Sequence, residues 1–289
     1  MSVTKRAKRL GGAGDFFETP GWATRAVLPL VLDRLPADGA ILEPAAGVGA
    51  ILRELIGAGI PRSRLAAFEL REDCEGTLTE LAGLVRCPRD TLEWLKDCPW
   101  PRRLPPAIKL VITNPPFALP EESDGLAAFA RALLSSIGEG GRVVLLGRLT
   151  WAAPSRGRSE WVRANMPDIH VLDRRPAFIR VPKCLAKGCR WRAPAQALSN
   201  DAPALHTHER FDGERSDLDC PRIGTMITAS SQADADEYAW YVWEKGRTRA
   251  PTWSILRCES AAETRAREGT TKRRRQATTV GATVPQAVS

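Results

Sequence analysis

One ten-residue stretch decides the predicted fold: Ile108-Lys109-Leu110-Val111-Ile112-Thr113-Asn114-Pro115-Pro116-Phe117. Its apolar, β-branched first half predicts a buried parallel strand. The strand must end at the double proline, because neither proline can donate a hydrogen bond to a neighbouring strand. Asn114 is therefore expected at the carboxyl end of a central strand, where open α/β sheets bind their ligands.

The end of this stretch also predicts a site for an amino group carried by an aromatic ring. The side-chain carbonyl of Asn114 and the backbone carbonyl of Pro115 could both accept hydrogen bonds from one exocyclic amino group. Phe117 could stack on the ring that carries the amine. An aminated heterocycle is the ligand class that this pattern favours.

A second motif, Ala40-Ile41-Leu42-Glu43-Pro44-Ala45-Ala46-Gly47-Val48-Gly49, predicts a strand, a glycine-rich turn and the start of a helix over residues 50–58. Small residues and glycines let the backbone approach a ligand closely at a helix N-terminus. Residues 65–69 predict a second strand that ends in Glu69, and a carboxylate at that place suits a ribose diol. The glycine spacing falls short of the six-residue dinucleotide fingerprint, which disfavours a nicotinamide cofactor.

The segments around residues 19–20 and residue 90 each match a pattern for the start of a helix. Thr19 is predicted to be a helix N-cap with Pro20 at the first helical position, and the helix is predicted to be kinked at Pro29. Asp90 follows a short predicted third strand at residues 84–87. It could accept a hydrogen bond from an adenine amino group, or it could cap a helix over residues 91–95.

The alternation of strands and helices up to about residue 180 predicts an α/β doubly wound sheet. Further elements are a helix over 124–137, strands at 141–147 and 169–172, and an aromatic strand at 237–244 that should return to the sheet. We predict a catalytic domain over residues 15–180 and 225–258. A basic disordered leader (1–14) and a basic disordered tail (259–289) are expected on either side.

Residues 181–224 break this pattern and contain Cys184, Cys189, His206 and Cys220 in an arginine-rich context. Three cysteines and one histidine are a ligand set that zinc accepts. Their spacing matches no common zinc finger closely. A zinc site and an unmetallated insertion are both open at this point.

Composition limits the partners and the compartment. The net charge is +8 and the pI is about 9.4, which favours a polyanionic partner such as nucleic acid. The chain has no apolar run of about 18 residues and no apolar segment of the secretory type near residue 1, so we expect neither a membrane span nor secretion. The seven cysteines are scattered, which fits a reducing compartment, and a cytoplasmic location is expected.

Together the motifs resemble those of the S-adenosylmethionine-dependent amino methyltransferases of DNA, in particular the N6-adenine group and its small phage and prophage members. The motif order is that of the γ arrangement. The resemblance implies a Rossmann-like mixed sheet of the class I methyltransferase type. It rests on Phe17-Glu18-Thr19-Pro20, the loop from Glu43 to Gly49, Glu69, Asp90, Asn114-Pro115-Pro116-Phe117 and Arg175-Pro176-Ala177-Phe178.

This resemblance also implies roles for individual residues. Asn114, Pro115, Pro116 and Phe117 would be catalytic, and Phe117 and Phe178 would stack on a base flipped out of the duplex. S-adenosylmethionine would be bound by Phe17, Thr19, Pro20, Glu43, Pro44, Ala45, Gly47, Gly49, Glu69, Asp90 and Asn114. The chain lacks a large target-recognition domain, so sequence specificity is expected to be short, relaxed or absent.

Other readings share the same tetrapeptide. Enzymes that methylate RNA bases or the glutamine amide of proteins also use it, and it accommodates cytosine N4 as well as adenine N6. A non-catalytic nucleic-acid-binding protein on a methyltransferase fold is a further alternative. Intact Asn114, Gly47, Gly49 and Glu69 argue against that last reading.

Overall fold

The computed structural model describes residues 17–97, 108–116, 124–153, 159–180, 204–205, 226–227, 230–233, 236–267 and 269. The α-helices up to residue 164 in the described part of the chain are α1 (Gly21–Leu32), α2 (Ala50–Gly57), α3 (Glu75–Thr79), α4 (Thr91–Asp97), α5 (Gly125–Ser136) and α6 (Ser159–Ala164). The first seven strands are β1 (Phe17–Glu18), β2 (Ala40–Glu43), β3 (Leu65–Phe68), β4 (Leu84–Arg86), β5 (Ile108–Thr113), β6 (Arg142–Arg148) and β7 (Asp168–Leu172). They are followed by β8 (Ala177–Arg180), β9 (Ala204–Leu205), β10 (Met226–Ile227), β11 (Ser230–Ala233), β12 (Tyr238–Glu244) and β13 (Trp253–Leu256).

Eight of these strands form one sheet in the order β13-β7-β12-β6-β5-β2-β3-β4. All pairings are parallel except those of β12, which runs antiparallel to both β6 and β7. The doubly wound, Rossmann-like mixed sheet predicted from the sequence is confirmed. Since β2, β3 and β5 are parallel neighbours, their carboxyl ends meet at one edge, where such sheets bind ligands.

Helices cover both faces of this sheet. Leu110 and Ile112 of β5 point into a core shared with α1, α2 and α3, whereas Val111 points into a core shared with α4 and α5. A strand buried on both faces is apolar at nearly every position, which is the pattern seen in the sequence of β5.

The aromatic strand β12 returns to the sheet as predicted and is inserted between β6 and β7. Trp240 is fully buried, and its indole N–H donates to the carbonyl of Ala23 at 2.8 Å. Trp243 is also buried and donates to the carbonyl of Asn165 at 2.7 Å. These two tryptophans are core residues with their polar N–H groups satisfied.

A second, small antiparallel sheet has the order β1-β8-β11. In its register Phe17 is opposite Arg180 and Glu18 is opposite Ile179. The sheet therefore joins the N-terminal motif to the segment that contains Phe178. A separate pair is formed by β9 and β10.

One predicted helix start is wrong. Helix α1 begins at Gly21, and Pro20 occupies the N-cap position with no side-chain cap. The carbonyl of Pro20 accepts the N–H of Ala23 at 2.9 Å, so Thr19 lies one residue too early to cap the helix. Pro29 lies inside α1, and the kink predicted there stays a prediction.

The predicted disordered tail from residue 259 also needs correction at its start, because residues 261–267 form a helix. Its N-terminus has a capping box: the Ser260 hydroxyl accepts from the Glu263 N–H, and the Glu263 carboxylate accepts from the Ser260 N–H. No helix of the described residues is long and apolar enough to cross a membrane.

Candidate active site

The glycine-rich turn between β2 and α2 depends on two left-handed residues. Gly47 has φ 53° and Gly49, the N-cap of α2, has φ 77°. The positive φ of Gly49 strains any other side chain, and a Cβ there would lie 2.5 Å from Cδ1 of Leu81, so glycine is strongly favoured at that position. The turn presents its backbone and the start of α2 at the carboxyl edge of the sheet.

Glu69, directly after β3, connects two loops of this edge. Its Oε2 accepts the N–H of Gly47 at 2.6 Å, and its Oε1 accepts the N–H of Arg71 at 2.9 Å. Burial raises the pKa of Glu69, although the hydrogen bonds from Arg71 and Gly47 act to lower it. Each carboxylate oxygen has a second lone pair, so Glu69 can accept further hydrogen bonds from a ligand.

A second carboxyl group, that of Glu43, ends β2 at the same edge. It is buried, and its Oε2 accepts no hydrogen bond from the described residues. Burial, with the neighbouring Glu69 carboxylate adding to it, raises the pKa of Glu43 well above its usual range. A buried oxygen of this kind is an acceptor for a ligand that carries N–H groups or positive charge.

Asp90 caps a helix, which is one of the two predicted interpretations. Its Oδ1 accepts the N–H groups of Leu92 and Glu93 at 2.9 and 3.1 Å, and the residue is exposed. The neighbouring Thr91 was missed by the sequence reasoning. Its buried hydroxyl donates to the carbonyl of Pro44 at 2.5 Å, which holds the glycine-rich turn against α4.

Asn114 lies where the sequence placed it, directly after β5 and therefore at the shared edge of the sheet. It is half-buried, and its Oδ1 is shielded from solvent. Leu42 is paired with Val111 in the register, so Asn114 extends beyond Glu43 at this edge. Pro115 is buried and Pro116 is half-buried. The ring of each proline fixes its own φ, so the backbone of this segment is rigid.

The N-terminal motif lies beside the helix that follows the glycine-rich turn. Glu18 and Arg53 of α2 form an ion pair at 3.6 Å. Thr19 is buried and Pro20 is half-buried. The structure thus brings the ends of β2, β3 and β5 together at one edge and ties the N-terminal motif to α2.

Several predicted site residues are not placed. Phe117 and all four members of the predicted zinc set, Cys184, Cys189, His206 and Cys220, lie outside the described residues. The backbone of Phe178 belongs to β8, next to β1. Among the described residues no group of three or more His, Cys, Asp or Glu side chains could hold a metal ion.

An ionic cluster beside the site had no signal in the sequence. Arg25 of α1 donates to both carboxylate oxygens of Glu259 at 3.0 and 2.5 Å and forms an ion pair with Glu54 of α2 at 2.8 Å. Arg174 donates to the carbonyl of Glu259 at 2.7 Å, and its guanidinium carbon lies 4.6 Å from the ring centroid of Trp22. The cluster fixes the start of α1 against α2 and the segment after β13.

Neither a protein-family model nor a curated protein matches this chain. Solved structures resemble it in three dimensions. One, described as a modification subunit of a type I restriction enzyme from Vibrio vulnificus, is 14% identical, with 88% of this chain and 49% of that chain covered and a TM-score of 0.47. Another, described as a class I S-adenosylmethionine-dependent methyltransferase from Listeria monocytogenes, is 13% identical, with coverages of 82% and 65% and a TM-score of 0.45.

A third similar structure is TrmN from Thermus thermophilus, which is 21% identical, with coverages of 77% and 48% and a TM-score of 0.39. This chain spans 48–65% of the length of these three structures.

Proposed function

We propose that this protein is a methyltransferase that moves a methyl group from S-adenosylmethionine to the exocyclic amine of a DNA base, adenine N6. One observation carries the proposal: Asn114-Pro115 follows the central strand β5, at the same edge as the glycine-rich turn and Glu69. A pair of carbonyl acceptors for an amine thus shares an edge with a turn suited to a nucleoside.

The residues at this edge fit S-adenosylmethionine. Glu69 would accept hydrogen bonds from the ribose diol, and Gly47 and Gly49 would let the backbone approach the ligand. The described protein leaves the buried Oε2 of Glu43 without a hydrogen bond, and an ammonium group bound beside it would favour the ionised carboxylate as its acceptor. When bound, S-adenosylmethionine supplies an electrophilic methyl group on a sulfonium.

The chain's own residues would prepare the nucleophile. The lone pair of an exocyclic amine is delocalised into its ring, which makes the amine a poor nucleophile. Hydrogen bonds from the amine to Oδ1 of Asn114 and to the carbonyl of Pro115 would favour tetrahedral nitrogen and direct the lone pair out of the ring plane. The rigid prolines keep both acceptors fixed, so alignment is the main contribution of this segment.

The basic charge of the chain supports DNA as the partner. A base must leave the duplex to reach a site of this kind. Phe117 and Phe178 would replace its lost stacking, which contributes roughly 1–3 kcal/mol for each base–aromatic contact.

The test compares wild type with Asn114→Ala and with Asn165→Ala, an asparagine at the end of α6, as the control. Each protein is incubated with labelled S-adenosylmethionine and DNA, RNA or a glutamine-bearing protein, and nucleoside mass spectrometry identifies the product. We expect N6-methyladenine from wild type and the control only, and we expect Asn114→Ala to retain S-adenosylmethionine binding in calorimetry while it loses methyl transfer. Methyl transfer by Asn114→Ala at the wild-type rate would contradict the role of Asn114. Methylation of RNA alone, or of protein alone, would show that the substrate is RNA or protein and not DNA.

A zinc ion held by Cys184, Cys189, His206 and Cys220 stays a prediction, with the unmetallated insertion as its alternative. Metal analysis of protein purified without chelator decides between them. Less than about half an equivalent of zinc would count against the site.

A further inference from the structure

Glu259, in the segment after β13, is bound by arginines from three parts of the chain. Its carboxylate accepts two hydrogen bonds from Arg25 of α1, at 3.0 and 2.5 Å, and forms an ion pair with Arg267 at 2.7 Å. Its backbone carbonyl accepts from Arg174, which follows β7, at 2.7 Å. The hydrogen bond from Arg25 is the main cause of a lowered pKa of Glu259, so the carboxylate is ionised at neutral pH.

Arg25 is held between two carboxylates. Besides its two hydrogen bonds to Glu259, it forms an ion pair with Glu54 of α2 at 2.8 Å. The side chains of Arg25 and Glu259 are each only 18% exposed, and a two-pronged arginine–carboxylate pair within a network is stronger than a lone surface ion pair. Arg25 therefore links α1 to α2 and to the segment after β13.

This link reaches the candidate site at the first residue of α1. A Cβ at Gly21 would overlap Oε1 of Glu54, so the absent side chain lets the start of α1 lie directly against α2. Pro20, the residue before, belongs to the N-terminal motif, and its carbonyl accepts the N–H of Ala23 at 2.9 Å. The motif is thus continuous with the helical turn that Arg25 and Glu54 hold.

On the side of α2 the link ends at the glycine-rich turn. Arg53, the neighbour of Glu54, donates its N–H to the carbonyl of Gly49, the N-cap of α2, at 3.0 Å. The side chain of Arg53 forms an ion pair with Glu18 of the N-terminal motif at 3.6 Å. Described residues therefore connect Glu259 both to the N-terminal motif and to the glycine-rich turn.

We propose that Glu259 and Arg25 are positioning residues that hold Thr19 and Pro20 beside the first turn of α2 and so shape one side of the cofactor site. The part of the proposal that concerns S-adenosylmethionine rests on the proposed function, whereas the fixed position of the motif does not. A residue near the end of the described chain thereby controls a motif near its beginning.

Two variants separate an effect of position from an effect of charge. Arg25→Gln removes a positive charge and the ion pairs with Glu54 and Glu259. Glu259→Gln removes a negative charge and keeps the backbone carbonyl for Arg174. A through-space effect on a cationic ligand would have opposite signs in these variants, whereas loss of position would weaken binding in both.

Two control variants separate positioning from general stability. Arg267→Gln removes the other ion pair of the Glu259 carboxylate and leaves the contacts of Arg25 in place. Arg249→Gln removes a two-pronged pair of the same kind with Asp168, which lies at the opposite end of β7 from Arg174. Urea denaturation of all variants identifies those with the same loss of stability.

The first readout, amide hydrogen exchange of residues 17–28 without ligand, needs no activity. We expect exchange to rise about tenfold in Arg25→Gln and in Glu259→Gln, and by no more in the double variant, because both remove the same contact. Exchange should stay at the wild-type level in both controls, since the first turns of a helix open locally. Equal exchange in Glu259→Gln and Arg267→Gln would overturn the proposal, whether or not the protein methylates anything.

The second readout is the Kd for S-adenosylmethionine, measured by calorimetry on the full chain. We expect binding about tenfold weaker in both Arg25→Gln and Glu259→Gln and unchanged in the controls, because a site that is not held in place must be ordered when the ligand binds. Changes of opposite sign, an equal loss in Arg249→Gln, or raised exchange with unchanged affinity would each overturn the positioning role. Absence of binding by wild type would instead refute the proposed function, and exchange alone would then decide whether Glu259 holds the motif.

Discussion

Glu69 and Gly47 are joined by a hydrogen bond of 2.6 Å that ties the carboxyl end of β3 to the glycine-rich turn after β2. The same carboxylate accepts the N–H of Arg71 at 2.9 Å. Glu69 therefore shapes two loops of the candidate site and also offers oxygens to a ligand.

Replacing Glu69 by alanine should weaken S-adenosylmethionine binding about tenfold to a hundredfold, since a hydrogen bond to a charged group contributes about 1.5–3 kcal/mol. Isothermal titration calorimetry measures the change. The control is Glu72→Ala, an exposed acid nearby that should bind as wild type. If Glu69→Ala and wild type bound S-adenosylmethionine with equal affinity, Glu69 would not be a cofactor-binding residue.

Replacing Gly49 by alanine should destabilise the fold by about 2–4 kcal/mol, because a positive φ and overpacking against Leu81 act together. Gly59→Ala is the matched control: its φ is 90°, but a Cβ there meets nothing within 4 Å. It should cost about 1–2 kcal/mol from the backbone alone. Urea denaturation gives both values, and equal losses would show that the Leu81 contact costs nothing.

The stability of Glu43→Gln relative to wild type should increase with pH. A raised pKa means that the folded protein holds the Glu43 proton more tightly than the unfolded chain, whose pKa is near 4.5. This contribution is fully present below pH 4.5 and is lost as the pH rises through the folded pKa. Denaturation of both proteins at pH 5 and pH 8 measures the difference between their free energies of unfolding. A difference that does not depend on pH would contradict a raised pKa of the buried Glu43 carboxyl.

Asp168 should make the protein sensitive to strong acid. Burial acts to raise its pKa, but hydrogen bonds from Arg249 and Thr252 outweigh burial and lower the pKa to about 2. The folded pKa is depressed, so the stabilisation is present above pH 3.8 and is lost as the pH falls toward 2. Allowing for the solvent exposure of Arg249, Asp168→Asn should cost about 1–2 kcal/mol at pH 7 and lose this acid dependence. An unchanged acid profile of unfolding would contradict the pairing.

Much of the fold and part of the site follow from local sequence. The apolar run of β5 and the double proline after it placed Asn114 correctly at a strand end, because burial on both faces and the missing N–H groups act within the segment itself. The turn from Glu43 to Gly49 was placed by its glycines and small residues, whose conformational freedom also acts within the segment itself. The cofactor and catalytic roles of these residues remain predictions that the variants above test.

Local rules failed where two neighbouring residues compete for one position. Thr19 has the side chain of an N-cap, but Pro20 takes that position and its carbonyl accepts the first hydrogen bond of α1. Asp90 had two interpretations, and the sequence could not choose between them. The structure shows the helix cap.

The sequence by itself determined the strand-and-turn elements of the site edge, since each is specified by residues that are adjacent in the chain. Only the tertiary structure decided which distant residues meet: Arg25 with Glu259, Thr91 with Pro44, and Trp151 with Asp124. These contacts depend on distances that exist only after the sheet has formed and the helices have packed on it. No local pattern encodes such a distance.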